Sequence, residues 1–578
     1  MGKYSEQEEH LLKHSHNSRK GGLKTMPFII VNESFERLAS FGLQPNMIIY
    51  ITTFYHMEAA AASSLLGIWS ALSNGLAIVG AFVSDSYLGR FRAVAIGSIS
   101  SLIGISILWL TTIIPQFRPS PCNNQQHGCN GTTTAQFALI LCSFGLISIG
   151  AGFVRPCSVA LGADQLDNKT NPDNERVIDS YFNWFYASLG ASTFLALTVI
   201  VYIQDNFGWK VGFGVPAILM VLSVSMFLMG SPLYVKVKAR GSLFVGLFQV
   251  AVAAFRKRHI DIQMINYNDE CYYKAPESKC LVPSSDFRCM NRACIIQDPD
   301  KELKPDGTTS NPWSLCCVEQ VESLKSFLRV LPMWSTSFMP IVSMSIPLSI
   351  FQLKTVDRHV FPGHQFEIPA GSFTFFSVFT LTIWNVFYDR ALVPLLMSRY
   401  PRGLSPVFRM GVGLIISCAA MALAAITENI RRNKAINEGF KDDPNAVLNM
   451  SALWFVPQFA LLGLAEALNV VGLMEFIYTE FPKSMSSFAL AICTIGIAVA
   501  NSVCSLLVSV VDGVTSAGGN TIWLSTNINK AHLDYFYYLI AFLSVNNFLY
   551  FLFVCRFCNH YHDGLNSRLS FEEENEHF

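Results

Sequence analysis

Charged residues are scarce in this chain. Asp, Glu, Lys and Arg make up 14% of its 578 residues, whereas a soluble protein carries about 25%. The two signs are balanced, with 41 basic and 41 acidic side chains, so there is no basic excess of the kind that binds nucleic acid. The shortage argues against a soluble globular protein, and the balance leaves no nucleic-acid partner to expect.

Regular cysteine spacing is also missing, although the chain has 15 cysteines. Four of them share one polar segment, namely Cys271, Cys280, Cys289 and Cys294. A zinc site needs more tightly paired ligands, so we expect no metal and no other cofactor. Cys122 and Cys129 flank a polar loop beside a glycosylation sequon at Asn130, and a disulfide there requires that the loop face outward.

Processing and catalytic motifs are absent as well. Residues 1–26 have no apolar core followed by a small-residue cleavage site, so we interpret them as a cytosolic tail and not as a signal peptide. No hydrolase or kinase motif appears, and we therefore do not expect an enzyme.

Long apolar blocks dominate the chain instead. Hydrophobic residues make up 51% of it, and many blocks are roughly 20 residues long, which is the length of a helix that crosses a bilayer. Hydropathy predicts twelve spans, near 27–55, 63–84, 93–114, 136–161, 180–203, 211–232, 323–353, 370–396, 407–427, 450–477, 486–511 and 533–556. We predict an all-α membrane protein with twelve transmembrane helices.

The order of the spans predicts five segments. They are a tail (1–26), a six-helix bundle (27–232), a cytosolic linker (233–322), a second six-helix bundle (323–556) and a tail (557–578). Two such halves place a binding site between them at mid-membrane. An even number of spans leaves both tails cytosolic, and the positive-inside rule agrees at Arg90, Arg92, Lys169, Arg176, Arg399, Arg402 and Lys483. Arg431, Arg432 and Lys434 follow the ninth span and disagree.

The start of the linker has two interpretations. The stretch Ala254-Phe-Arg-Lys-Arg-His259 fits an amphipathic helix on the inner leaflet. A solvated connector fits it equally well.

The most informative charges are Glu33, Glu36 and Arg37 in the first span. Positions i, i+3 and i+4 share one helix face, and a charge at the bilayer centre costs roughly 2.5–3.5 kcal/mol. This face should therefore line a polar cavity, where a carboxylate near arginine can bind and release a proton. A static salt bridge is the alternative.

Four further places carry unusual charge. Arg155 lies in the fourth span beside Pro156, where a permanent cation suits a carboxylate or an anionic substrate. Lys325 and Glu475 lie in the seventh and tenth spans, and a pair between them would act as a gate that opens when Glu475 is protonated. Glu466 is interpreted mainly as a structural hydrogen-bond acceptor. Between the second and third spans, Asp85, Gly89 and Arg90 predict a clasp at the cytosolic ends of these helices.

Several of these motifs resemble one known family. Glu33-Ser-Phe-Glu36-Arg37 matches the ExxER motif of the proton-coupled oligopeptide transporter family, and Asp85-Ser-Tyr-Leu-Gly89-Arg90 resembles the loop motif of the major facilitator superfamily. Phe182-Asn-Trp-Phe-Tyr186, Gly162-Ala-Asp-Gln165 and His532-Leu-Asp-Tyr-Phe-Tyr537 resemble the plant nitrate/peptide transporter branch. The resemblance implies the major facilitator fold and proton symport by alternating access.

The resemblance also implies roles for single residues. Glu33, Glu36 and Arg37 would couple to protons, Arg155 stands where many members carry a coupling lysine, and Lys325 and Glu475 match a pair in the second half. Two positions depart from the family's dual-affinity nitrate carrier: Met344 replaces its nitrate-contacting histidine, and Ala93 replaces its phosphorylated threonine. If nitrate is the substrate, we expect low affinity and contact through Arg37 or Arg155.

Three functions follow from this pattern. The first is low-affinity proton–nitrate symport, with protons, a small anion and membrane lipid as the partners. The second keeps the mechanism but carries a hormone, a glucosinolate or a small peptide. The third is a transporter-like sensor, which the retained coupling charges argue against. Neither tail shows a clear sorting signal, and we favour the plasma membrane over the tonoplast.

Overall fold

The chain folds almost entirely into helices. The computed structural model describes residues 21–120, 131–166, 174–236, 243–260, 272–274, 283–284, 286–305, 307–360, 366–396, 404–481, 486–517 and 522–576. The predicted loop with Cys122, Cys129 and Asn130 lies outside these residues, as do Cys271 and Cys280 of the polar segment.

Nineteen α-helices are present in the described residues. Before the linker these are α1 (Met26–Phe54), α2 (Ala59–Val83), α3 (Arg90–Ile113), α4 (Thr134–Leu166), α5 (Asn174–Leu195), α6 (Val201–Asn206) and α7 (Trp209–Met229). The linker contains α8 (Leu243–Arg256), α9 (Arg288–Asn291) and α10 (Pro299–Glu302). After it come α11 (Val318–Ser335), α12 (Phe338–Met344), α13 (Ser349–Lys354), α14 (Thr374–Phe387), α15 (Val393–Leu396), α16 (Pro406–Asn437), α17 (Val456–Glu480), α18 (Ser486–Ala517) and α19 (Leu533–Glu576). Two short strands, β1 (Val356–Asp357) and β2 (Leu448–Ser451), pair in parallel.

The predicted fold class is confirmed. Within the described residues, ten helices are long and apolar enough to cross a membrane, and α11 with α12–α13 makes an eleventh that is bent by 47°. The remaining predicted span is α1, which is 29 residues long but contains three charged side chains that lower its hydropathy. Each of the twelve predicted spans overlaps a helix of the structure.

Three helices differ most from their predicted spans. The twelfth was predicted to end near residue 556, but α19 continues to Glu576 through the predicted tail. The seventh span was predicted as one helix over 323–353, but it breaks between Ser335 and Phe338. The ninth was predicted to end near residue 427, but α16 continues to Asn437. A hydropathy window rejects this last stretch because of its charges, whereas the folded chain pairs them internally.

The charges at the end of α16 form a buried network. Arg431 is fully buried and donates to both carboxylate oxygens of Glu428 at 2.7 and 2.8 Å. It also donates to Thr355 Oγ1 and Asn529 Oδ1 at 3.0 and 2.7 Å. Gln352 donates to Glu428 from the seventh span. The prediction that Arg431 follows the ninth span is therefore wrong, because Arg431 lies within α16 and is buried against its partners.

The start of the chain marks one side of the bundle. The backbone N–H of Gly21 donates to Leu233 O at 2.8 Å, and that of Gly22 donates to Gln165 O at 2.7 Å. Gly21 and Gly22, the first described residues, therefore lie beside the end of α4 and the start of the linker. We call this the linker side and the opposite one the far side.

Glycines bring three helices of the first half into close contact. A Cβ added to Gly80 of α2 would lie 2.2 Å from Gly152 O of α4, and one added to Gly97 of α3 would lie 3.0 Å from Gly150 O. Small residues allow such backbone approach between membrane helices. Arg155 lies one turn beyond Gly152, so this packing fixes the position of its side chain.

We expect Arg431→Ala to destabilise the protein, because it leaves Glu428 buried without its ion partner. Removing one member of a buried pair costs roughly 3–5 kcal/mol. The measurement is thermal unfolding of the detergent-purified protein, with Arg390→Ala as the control since Arg390 and Asp389 form an exposed pair. Equal transition temperatures for the two variants would contradict a stabilising network.

We also expect Gly152→Ala to lower stability, because its Cβ would lie 2.7 Å from Leu76 Cβ and 2.8 Å from the Leu76 backbone carbon. Overpacking of this kind costs roughly 1–3 kcal/mol. Gly145→Ala is the matched control on the same helix, since nothing lies within 4 Å of its added Cβ. The yield of monodisperse protein and its unfolding temperature should fall for Gly152→Ala only.

Candidate functional site

The charged face of α1 is buried at the centre of the first half. Glu33 and Glu36 are 1% and 0% exposed. Ser40, one turn later, donates to Glu36 Oε1 at 2.6 Å. Arg37 Nη2 lies 4.0 Å from Glu33 Oε1, which is a loose ion pair without a hydrogen bond. One oxygen of each carboxylate has no hydrogen-bond partner among the described residues.

A second arginine approaches the same place from α4. The guanidinium carbon of Arg37 lies 4.9 Å from the centroid of the Phe41 ring, and that of Arg155 lies 5.3 Å from it. The Nε atoms of both arginines are buried, and no described group accepts from them. Two cations therefore share one aromatic ring, with few partners of their own.

These residues lie on a large central cavity. Its volume is about 1090 Å³. Glu33, Arg37, Phe41 and Arg155 line its wall in the first half, whereas Glu36 lies behind that wall. The cavity has room for far more than a single small ion, and its charged groups are concentrated on one side.

The opposite wall comes from the second half and has a large apolar part beside polar side chains such as Gln458, Thr494 and Asn501. Met344, Ile346, Pro347, Phe459 and Leu462 line it. Met344 ends α12, and the next helix begins only at Ser349, so Met344 lines the cavity where the helix is interrupted a second time.

Glu466 is the carboxylate of that second wall. It lies on α17 and lines the same cavity as the charged cluster of the first half. We interpreted it from sequence as a structural acceptor because glycines surround it. The sequence did contain a signal for a functional role, because a charged residue within an apolar span is by default a functional candidate.

The clasp on the linker side contains a third member. Arg90 Nε lies 3.5 Å from Asp85 Oδ1, and its Nη1 lies 2.6 Å from Asp164 Oδ1 of α4. Gly89 connects the helices with a φ of 76°, a left-handed value that glycine adopts without strain. Asp85, Gly89, Arg90 and Asp164 all line the cavity, which therefore extends to the linker-side ends of α2 and α4.

The far side is held together by contacts between the halves. Arg358 donates to Asp205 at 3.1 Å and to Glu367 at 2.7 Å. The backbone N–H of Ala59 donates to Thr526 Oγ1 at 3.2 Å. The structure therefore joins the halves on the far side while the cavity reaches the linker side.

The predicted Lys325–Glu475 pair is not formed in this conformation. Lys325 is fully buried, with Nζ 2.8 Å from Glu322 Oε1 and 2.8 Å from Ser284 O of the linker. Glu475 lies 2.5 Å from Arg409 Nη1. Neither Lys325 nor Glu475 lines the cavity, because each side chain faces another partner.

The described residues contain no group of three or more His, Cys, Asp or Glu side chains arranged to hold a metal ion. In the linker, burial raises the pKa of the Cys294 thiol to about 12. This thiol is therefore protonated at neutral pH, which disfavours it as a metal ligand.

Comparison with known proteins identifies the family of this chain. A model of the POT family matches residues 91–524. Protein NRT1/PTR FAMILY 1.2 of Arabidopsis thaliana is 46% identical over 544 residues, covering 92% of this chain and 89% of that protein. Protein NRT1/PTR FAMILY 1.1 of the same plant is 48% identical over 542 residues, covering 93% and 91%.

Solved structures share the fold at lower identity. An auto-inhibited POT family peptide transporter has a TM-score of 0.65 at 17% identity, covering 92% of this chain and 97% of that one. A POT family transporter in complex with 5-aminolevulinic acid has a TM-score of 0.57 at 14% identity, covering 91% and 97%. With the family match and the plant relatives, these results show that the chain belongs to the plant NRT1/PTR branch of the POT family, and is a proton-coupled membrane transporter.

Proposed function

We propose that the chain is a symporter that carries a monovalent anion together with protons. The substrate that we propose first is nitrate, bound with low affinity. The observation that carries this proposal is the pair Arg37 and Arg155, which share the Phe41 ring on the cavity wall with their Nε atoms unpartnered among the described residues. Guanidinium groups bind oxyanions through paired N–H donors. An anion between them would relieve the repulsion of two neighbouring cations.

Charge balance couples the anion to a proton. Glu33 and Glu36 offset Arg37 and Arg155 when both carboxylates are ionised, so the cluster is then neutral. Protonating either carboxylate leaves the cluster one positive charge, which favours an anion. By linkage the anion must favour proton binding by the same factor. Glu466 on the wall of the second half is a candidate for a further carboxylate in the cycle.

An organic anion is the second candidate. A cavity of about 1090 Å³ with a partly apolar wall has the size and character of sites for drug-sized ligands, which are about 300–1,000 Å³. A hormone, a glucosinolate or a small peptide would place its carboxylate or sulfate at the arginines and its body against Met344 and Phe459. The coupling charges are the same in both proposals.

We propose that the linker side faces the cytosol and that the protein lies in the plasma membrane rather than in the tonoplast. Arg90, Arg92 and Arg176 lie near linker-side helix ends, which agrees with the positive-inside rule. Arg431, Arg432 and Lys434 of α16 disagree with this orientation, and the proposal follows the larger number of basic residues on the linker side. The coupling roles expected for Lys325 and Glu475 stay predictions for another conformation of the cycle.

We predict that Glu36→Gln abolishes proton-driven uptake and leaves membrane insertion intact, because the amide still accepts from Ser40 but cannot carry a proton. Acid-stimulated uptake is measured in oocytes together with surface expression. Glu438→Gln is the control, since Glu438 lies just after α16 and makes a loose ion pair with Lys434 at 3.8 Å. Full acid stimulation in Glu36→Gln would overturn the coupling role.

We predict that Arg155→Gln weakens nitrate transport. A hydrogen bond to a charged group contributes about 1.5–3 kcal/mol, so the nitrate KM should rise by about tenfold or more. Arg118→Gln is the matched control, because Arg118 also lies over an aromatic ring, that of Phe54, but outside the cavity. The readout is the substrate-evoked current at acid and neutral pH.

The same assay discriminates between the substrates. Hormones, glucosinolates and dipeptides are tested beside nitrate on the unmodified chain. An acid-dependent current with nitrate supports the first proposal. An organic anion replaces nitrate as the proposed substrate if it evokes an acid-dependent current that nitrate does not evoke. Arg155→Gln should then weaken transport of that organic anion.

A further inference from the structure

The linker helix α8 has one face that the described part of the chain leaves exposed. Phe248 and Phe255 are 69% and 66% exposed, and Trp313 beside them is 41% exposed. Arg256 and Arg258 are exposed as well. We call these five residues the aromatic–cationic face. Soluble surfaces seldom expose large aromatic side chains in such a group, and the group therefore marks an interaction site.

The opposite face of α8 anchors the helix to the base of the seventh span. Val250 and Ala253 are fully buried in a cluster with Val321 and Leu324 of α11. Leu247 contacts this cluster and also the neighbouring one that contains Val330. The helix is thus held against the linker-side turns of a membrane-crossing helix, close to the surface of the bilayer.

The exposed side chains have the spacing of a membrane-surface helix. Phe248, Ala251 and Phe255 occupy positions i, i+3 and i+7, which lie on one face, and all three are exposed. At 14 residues, α8 is too short to cross a bilayer, which needs about 20. Aromatic residues and arginines on one exposed face are the composition of helices that lie in the membrane interface.

The three consecutive cations at the end of α8 separate into two groups. Lys257 is buried and bonds to Glu302 at 2.9 Å and to Ile295 O at 2.6 Å. Arg256 donates only to a backbone oxygen, that of Trp313, at 3.4 Å. Arg258 lies over the Phe255 ring at 4.7 Å. No described carboxylate pairs with either arginine, so both are available to an external anion.

We propose that the aromatic–cationic face rests on the linker-side leaflet and binds anionic phospholipid there. The two phenyl rings and the Trp313 indole enter the boundary between headgroups and acyl chains, where aromatic side chains concentrate. Arg256 and Arg258 bind the phosphate and carboxylate groups of the lipid heads. The proposal commits to lipid because the face is both apolar and cationic and because its helix is fixed to a membrane span. It does not rest on the identity of the substrate.

The direct test is photocrosslinking at the two phenylalanines. Benzoylphenylalanine, which resembles the residue it replaces, is introduced at Phe248 or Phe255 of the full chain, which is reconstituted in vesicles of phosphatidylcholine and labelled phosphatidylserine. Phe542 is the lipid-facing control, since it is 64% exposed in the last span. Phe440 is the solvent control, because it follows the end of the 32-residue helix α16, which is longer than the bilayer core is thick.

We expect label transfer at Phe248 and Phe255 to match that at Phe542 and to exceed that at Phe440. Label transfer no higher than at Phe440 would show that the face is in water. Crosslinks to a second polypeptide in native membranes, with none to lipid, would show that a protein covers it. Either result overturns the proposal.

The charge part of the proposal has its own test. Each arginine near an anionic surface contributes about fivefold to binding, so Arg256→Gln with Arg258→Gln should remove the preference of the Phe248 probe for phosphatidylserine over phosphatidylcholine. Lys301→Gln is the control, because this exposed linker cation pairs with Asp298 and should leave the preference unchanged. Equal labelling by both lipids in the unmodified chain would contradict anionic-lipid binding.

Discussion

The cost of holding charge inside a membrane is the constraint on which this structure depends. Glu33, Glu36, Arg37 and Arg155 lie on membrane-crossing helices, where each needs a partner or a cavity. The fold supplies both, through helices that approach closely at glycines and through a cavity of about 1090 Å³. Because the cluster is neutral only when both carboxylates are ionised, adding a proton changes what the cavity attracts. The proposed transport cycle uses this change in attraction.

The same constraint has a second solution at the end of α16. Arg431 and Glu428 are fully buried, but every strong hydrogen-bonding direction there is met by protein. A network in which every donor and acceptor is paired stabilises a structure and leaves no group free to bind a substrate. The two sites show that burial alone does not identify a functional charge. The distinguishing feature is whether donors remain unpaired on a cavity wall, as they do at Arg37 and Arg155.

Much of this architecture was predictable from sequence, because long apolar blocks and the i, i+3, i+4 spacing of Glu33, Glu36 and Arg37 are local signals. The partners of isolated charges could not be predicted in this way. Lys325 and Glu475 were predicted as a pair, but Lys325 pairs with Glu322 of its own helix and Glu475 with Arg409 of α16. The extension of α16 was missed since hydropathy counts Arg431 as a charge and does not see Glu428 one turn away.

The central claim is that proton binding and anion binding favour each other at one cluster. The most direct measurement is calorimetric titration of the purified transporter with nitrate in two buffers of unlike ionisation enthalpy, which gives the number of protons taken up per anion. The account predicts a net proton uptake on binding near the pH where the cluster titrates. Saturable nitrate binding with no proton uptake at any pH would contradict it.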